Sequence, residues 1–92
     1  MKKIKVLVSG TVQGVNFRWA TYYKALETGV AGWVRNTPDG KVEAVFQGDE
    51  NQIQSMLDYV KQGPPAAIVS GVQTEELPVD DSLTSFEVRA TH

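Results

Sequence analysis

The chain has 92 residues, of which 41% are hydrophobic and 22% charged, and its net charge is −2. This length predicts a single domain over residues 1–92, and the slightly acidic balance argues against a nucleic-acid partner, because nucleic-acid-binding domains are usually basic. The chain has no cysteine, which excludes disulfides, thiol catalysis and cysteine-ligated zinc. No apolar run approaches the ~20 residues of a membrane-spanning helix, so we expect no membrane partner and a cytoplasmic protein.

The first half of the chain predicts a strand, a helix and a β-hairpin. Apolar residues alternate over 3–9, which indicates a strand. Apolar residues then recur at i, i+3, i+4 and i+7, which predicts a helix over 17–28 that ends at Gly29. Strands over 30–36 and 41–47 flank a Pro-Asp-Gly turn and should form a hairpin. The side chains expected in the core are Ile4, Val6, Val8, Phe17, Trp19, Tyr22, Tyr23, Leu26 and Trp33.

A second helix follows the hairpin. Asp49 is placed to cap its first turn, and Gln52 can reach back to the same position. The Gly-Pro-Pro sequence at 63–65 ends the helix. Its apolar stripe consists of Ile53, Met56, Leu57 and Val60.

The end of the chain predicts further strands and completes the fold class. Residues 67–74 form a strand in which Gly71 suggests a bulge, and the acidic residues 75–84 form a solvated loop. Phe86 and Val88 suggest a short last strand. The order βαββαβ, with this extra strand, predicts an α+β ferredoxin-like sandwich, in which two helices cover one face of an antiparallel sheet of four to five strands.

The loop after the first strand carries the clearest chemical signal, because it leads through glycines to an arginine at a helix start. Unpaired N–H groups at a helix N-terminus attract anions, and glycine lets the backbone approach them closely. Arginine adds a planar fork of donors suited to phosphate or carboxylate. A cation is electrostatically poor at this end of a helix, which favours a functional role for Arg18. The segment reads Gly10-Thr11-Val12-Gln13-Gly14-Val15-Asn16-Phe17-Arg18.

The end of the second strand should lie beside this loop. In the predicted fold the first two strands are parallel, so their C-terminal ends share one edge of the sheet. Arg18 and Asn36 can therefore meet in space. Taken alone, Asn36 is better explained as a turn residue before Pro-Asp-Gly, and only its pairing with the loop favours function. Arg35 alternates to the opposite face and is interpreted as solvated or packed.

Together the loop and the segment Gly32-Trp33-Val34-Arg35-Asn36 resemble the acylphosphatase family, and the resemblance covers nearly the whole chain. It implies a small cytosolic hydrolase of acyl phosphates that needs no metal or cofactor and releases inorganic phosphate. It also implies that Arg18 binds the substrate phosphate and that Asn36 positions the attacking water. Backbone N–H groups would complete the phosphate cradle, namely those of Gln13, Gly14, Val15, Asn16, Phe17 and Arg18.

Two positions depart from the pattern of the family. Position 16 most often carries glycine and here is Asn16, and position 11 is often basic and here is Thr11. Asparagine is among the residues that best tolerate a positive φ, so the loop can keep its shape. Asn16 could instead cap the first helix. His92 is the only histidine, and we predict no catalytic role for it.

Other functions of the same fold remain open at this point. An RNA-binding module would carry a basic–glycine–aromatic signature on the third strand, which here reads Lys-Val-Glu-Ala-Val-Phe. A regulatory domain could bind a small anion without hydrolysing it. Acylphosphatase-like domains also occur inside larger carbamoyl-transferring maturation proteins. The chain stops at residue 92 without a linker, which favours a free-standing enzyme, and we expect a monomer.

Overall fold

The structure is a computed structural model that describes residues 1–91. The prediction about His92 therefore lies outside the described residues. The order of elements confirms the predicted ferredoxin-like α+β fold with its additional fifth strand. The elements are β1 (Lys2–Thr11), α1 (Phe17–Thr28), β2 (Ala31–Asn36), β3 (Val42–Gly48), α2 (Glu50–Gln62), β4 (Ile68–Leu77) and β5 (Phe86–Arg89).

The five strands form one mixed sheet in the order β4-β1-β3-β2-β5. The predicted antiparallel arrangement is correct for three of the strand pairs, but β5 runs parallel to β2. Residues 78–85 must cross four strand spacings, about 19 Å, within a reach of roughly 26 Å. So short a connection favours a β5 that begins at the end of the sheet where β4 stops, and Phe86 lies at that end. Because β4 runs antiparallel to β2, β5 is then parallel to it.

Residues 75–84 were predicted to form a solvated loop. In the structure they first continue β4 as far as Leu77 and then form the connection that crosses the sheet to β5. Glu75 lies in β4 opposite Lys5 and forms an ion pair with it at 3.6 Å, so β4 continues beyond its predicted end. The crossover is held at Asp80, whose backbone N–H and C=O both bond to the buried side chain of Gln47, at 2.8 and 2.9 Å. The register of β1 against β4 shifts beside Gly71, where a bulge was predicted.

Both helices pack on the same face of the sheet, α1 over β2 and β5 and α2 over β4, β1 and β3. Helix α2 buries three residues of its predicted stripe. The predicted stripe of α1 is wrong for three of its four residues, because this helix turns Phe17, Thr21 and Ala25 to the core. The exposed large residues of α1 are Trp19, Tyr23 and Leu26, whereas Tyr22 packs partly against the core.

Trp33 was expected in the core or facing the sheet, and it lies half-buried on the sheet face opposite Val34. The guanidinium of Arg89 lies 4.7 Å from the centre of its ring, and that of Arg35 lies 5.9 Å away. These contacts are typical of a cation–π interaction, which needs the ring face to be accessible to charged side chains.

Neither helix in the described part of the chain has the length and apolar character of a membrane span.

Candidate active site

The register of the sheet brings the loop after β1 close to the end of β2. Both strands are antiparallel to β3, and Val8 and Asn36 each pair with the same residue, Val42. Two strand spacings, about 10 Å, therefore separate the backbone of Val8 from that of Asn36. The loop leaves β1 only a few residues after Val8, so its residues emerge beside Asn36.

A cleft of about 110 Å³ lies where the loop, the start of α1 and the end of β2 meet. The structure brings five of the predicted site residues to this cleft. Two others, Gln13 and Val15, do not line it: Val15 packs against the core, and the Gln13 side chain turns toward the hairpin. The lining residues are Val12, Gly14, Asn16, Phe17, Arg18, Trp19 and Asn36.

The backbone of the loop presents a series of unpaired donors. Among the hydrogen bonds of residues 1–91, none has a backbone N–H of residues 13–18 as its donor. Gly14 and Asn16 both adopt left-handed backbone conformations, with φ of 74° and 67°. Successive N–H groups in such a loop converge to form an anion-binding concavity, and the helix N-terminus adds its own unpaired donors.

Asn16 occupies the N-cap position of α1, yet its side chain forms no capping hydrogen bond. It is the only non-glycine residue among those described that has a positive φ. Asparagine therefore meets the conformational demand of this position at a modest cost, as expected from the sequence. The donors that a capping side chain would otherwise occupy stay open toward the cleft.

Among the residues that the structure describes, Arg18 is the only charged one that lines the cleft. Its Nη1 donates a hydrogen bond of 3.1 Å to the backbone oxygen of Arg89 in β5, which fixes the direction of the side chain. Within residues 1–91 it forms no ion pair, and the first turn of α1 holds no acidic residue. Arg35, in contrast, lies on the other face of the sheet and binds Glu43 at 2.8 Å, which is compatible with its interpretation as solvated or packed. Arg18 thus keeps donors for an anion.

The side chain of Gln13 ties the loop to the hairpin that carries Asn36. Its Nε2 donates to the backbone oxygens of Thr37 at 2.7 Å and Lys41 at 2.9 Å. The resemblance to the family implies a role only for the backbone N–H of this residue. Its partners lie 24 and 28 residues away, so no local pattern could reveal them. Gln13 fixes the distance between the loop and Asn36.

The turn after Asn36 is braced by Thr37, a buried residue. Its hydroxyl donates a short hydrogen bond to the Asp39 carboxylate and accepts one of 3.0 Å from the Lys41 N–H. The hydrogen bond from Thr37 lowers the pKa of the Asp39 carboxyl below its ordinary value, and the nearby Lys41 charge acts in the same direction. The backbone that follows Asn36 is therefore held by the hydrogen bond from Gln13 and by those within the turn.

The cleft combines backbone donors, one guanidinium and one side-chain amide. Such a set can bind an oxyanion and orient a water molecule, because an amide offers both an acceptor and donors. The described residues that line the cleft include no histidine, cysteine, lysine or carboxylate side chain. The described residues contain no group of three or more His, Cys, Asp or Glu placed to hold a metal ion.

Known proteins share both the sequence and the structure of this chain. The acylphosphatase family model matches residues 4–88. An acylphosphatase of Gloeobacter violaceus is 55% identical over 84 residues, covering 90% of this chain and 88% of that protein. An acylphosphatase of Rubrobacter xylanophilus is 49% identical over 88 residues, covering 96% of this chain and 80% of that protein. The crystal structure of acylphosphatase from Bacillus subtilis aligns with a TM-score of 0.92 and 35% identity, covering 97% of this chain and 99% of that one.

Proposed function

Because the chain belongs to the acylphosphatase family of hydrolases, we propose that it cleaves the carboxyl–phosphate bond of acyl phosphates without a metal ion or cofactor. The observation that carries the proposal is one cleft in which unpaired loop N–H groups, Arg18 and Asn36 come together. The loop and the guanidinium suit a phosphate, and the amide suits a water molecule. Inorganic phosphate, as the product, competes for the same cradle.

The phosphate group is bound by the backbone N–H groups of residues 13–18 and by the guanidinium of Arg18. An acyl phosphate is a mixed anhydride with a good leaving group, so its cleavage depends mainly on positioning and charge stabilisation. Fixed donors act on the equatorial oxygens as charge shifts in the transition state. The bond from Arg18 to the Arg89 carbonyl supports this role, since it directs the guanidinium before the substrate arrives.

Asn36 orients the attacking water. The water oxygen forms a bond to phosphorus as the bond from phosphorus to the acyl oxygen breaks, and the carboxylate leaves with that electron pair. An amide has no useful pKa, so Asn36 cannot take the proton of the water. That proton passes to an oxygen of the substrate phosphate, and the products are a carboxylate and inorganic phosphate. A pH–rate profile with an essential enzyme base near neutrality would contradict this route.

The testing experiment measures benzoyl phosphate hydrolysis in EDTA for the wild type, Asn36→Ala and the control Asn51→Ala. Asn51 is an exposed asparagine on α2 outside the cleft. We expect Asn36→Ala to lower kcat on the order of 100-fold because the water is no longer positioned, whereas phosphate inhibition changes less than about threefold. The control should match the wild type.

Three results would contradict the proposal. Equal losses of kcat and of phosphate binding in Asn36→Ala would remove the water-orienting role. Wild-type turnover that disappears in EDTA would show a metal requirement. A wild type that binds phosphate without hydrolysing either benzoyl or acetyl phosphate would indicate a ligand-binding domain on the same fold.

The cellular location and the oligomeric state of the enzyme remain predictions from the sequence. We propose a cytoplasmic monomer whose partner is a small acyl phosphate. Cell fractionation and light scattering on the purified protein test these two points independently of activity.

A further inference from the structure

The outer wall of the cleft carries a large apolar side chain that the proposed reaction does not use. Trp19 lines the cleft beside Arg18 and Asn36, yet 48% of its surface is exposed. The helical spacing placed it in the core. In the structure it instead forms part of the wall of the anion site, where its exposed surface can contact a bound group.

The size of the cleft decides which part of an acyl phosphate it can hold. Its volume of about 110 Å³ is well below the roughly 300–1,000 Å³ of typical small-molecule pockets. A phosphate group of five heavy atoms fills that space. The acyl group of a bound substrate must therefore lie outside the cleft, against the residues at its rim.

Trp19 is the rim residue with apolar surface to offer. Val12 and Phe17 also line the cleft, but they are 1% and 2% exposed and belong to the core. The remaining lining residues are glycine, asparagine and arginine. Among the lining side chains, the indole offers the exposed apolar surface on which a planar acyl group can stack.

The indole is held in place rather than free to move. Its ring contacts that of Tyr22 edge to face, with 5.6 Å between the centroids. Tyr22 in turn packs against the core and lies 6.4 Å from the ring of Phe86. A rigid aromatic surface binds an apolar group at a lower entropic cost than a mobile one.

We propose that Trp19 is a specificity-determining residue, whose indole binds the acyl group and favours aromatic or other flat apolar acyl phosphates over small ones. The inference rests on the proposed function, because it names the substrate class of the same site. Stacking of an apolar ring on an aromatic side chain is the interaction that separates a benzoyl from an acetyl substrate.

The test compares kcat/KM for benzoyl phosphate and acetyl phosphate in the wild type, Trp19→Ala and Trp19→Phe. We expect Trp19→Ala to lower the value for benzoyl phosphate about fivefold to tenfold, and that for acetyl phosphate less than about twofold. Trp19→Phe should recover most of the benzoyl preference. Inhibition by inorganic phosphate should stay within about twofold of the wild type, because the cradle is untouched.

Tyr23→Ala is the matched control. Tyr23 lies on the same helix, is 64% exposed and contacts Tyr22 at 5.4 Å, but it does not line the cleft. It should leave the ratio of the two substrates unchanged. Equal losses for both substrates in Trp19→Ala, or the same change of ratio in Tyr23→Ala, would overturn the inference.

A binding measurement separates this inference from the proposed function. If the wild type hydrolyses neither substrate, the proposed function fails, and calorimetry with phenylphosphonate and methylphosphonate then decides the role of Trp19. A phenyl preference in the wild type that disappears in Trp19→Ala supports the aromatic subsite. Equal affinities for the two phosphonates in the wild type overturn it.

Discussion

The two helices begin in opposite ways. Helix α2 starts with a complete capping box, in which the Asp49 side chain accepts from the Gln52 N–H at 2.8 Å and the Gln52 side chain accepts from the Asp49 N–H at 2.9 Å. Glu50 adds a negative charge to its first turn. Helix α1 starts at Asn16, whose side chain caps nothing, and its first turn carries the cation of Arg18.

This difference shows that a helix whose N-terminus binds an anion gives up its own side-chain cap. A capping side chain and a bound anion compete for the same unpaired N–H groups, so one helix end cannot serve both. Helix α2 satisfies its own donors and turns Ile53, Met56 and Val60 to the core, which stabilises the fold. Helix α1 leaves its donors open and adds a cation that suits an anion better than it suits the helix dipole.

The largest expected effect comes from Arg18→Lys. It should lower kcat/KM for benzoyl phosphate by about 100-fold or more, because an ammonium cannot reproduce the planar fork. Urea denaturation should show a change in the free energy of unfolding within about 0.5 kcal/mol, as for other partly exposed substitutions. Arg35→Lys, on the other face of the sheet, is the control and should retain activity. Near-wild-type activity of Arg18→Lys would contradict the proposed role of Arg18 in binding the phosphate.

An intermediate effect, on stability alone, is expected from Asp49→Ala. Loss of the capping side chain should lower the free energy of unfolding by about 1 kcal/mol, measured by urea denaturation. The kcat for benzoyl phosphate should match the wild type at temperatures where both are folded. A folded Asp49→Ala variant with impaired turnover would contradict the separation of roles, in which α2 stabilises the fold and α1 binds the anion.

The smallest effect is expected from Asn16→Gly. Glycine adopts the positive φ of this position freely but loses more entropy on folding, so the free energy of unfolding should change by less than about 0.5 kcal/mol. Asn16→Ala, the comparison variant, should cost about 1–2 kcal/mol because alanine is strained there. Phosphate inhibition should be unchanged in Asn16→Gly. Weaker inhibition would mean that the asparagine side chain itself contacts the anion.

Features with local causes could be predicted from the sequence. The capping box of α2 and the positive φ of Asn16 follow from residues only a few positions apart. Features set by distant partners could not. The bonds of Gln13 reach across the fold, and the direction of β5 follows from where β4 ends.

The wrong stripe of α1 has a different cause. Trp19, Tyr23 and Leu26 lie on one side of the helix, and Phe17, Thr21 and Ala25 lie on another, each set with gaps of three or four residues. Periodicity identifies a face but does not say which of two faces meets the sheet. In the structure the core meets the face that carries Phe17, Thr21 and Ala25.

The hydrogen bond between Arg18 and the Arg89 carbonyl spans 71 positions of the chain. Together with the bonds of Gln13 and the lining residue Val12, it means that the shortest segment holding every contact of the site runs from residue 12 to residue 89. The loop is therefore not a portable motif that can be grafted onto another scaffold and keep its geometry. Transferring this activity to another protein, by recombination or by design, therefore requires the transfer of nearly the entire domain.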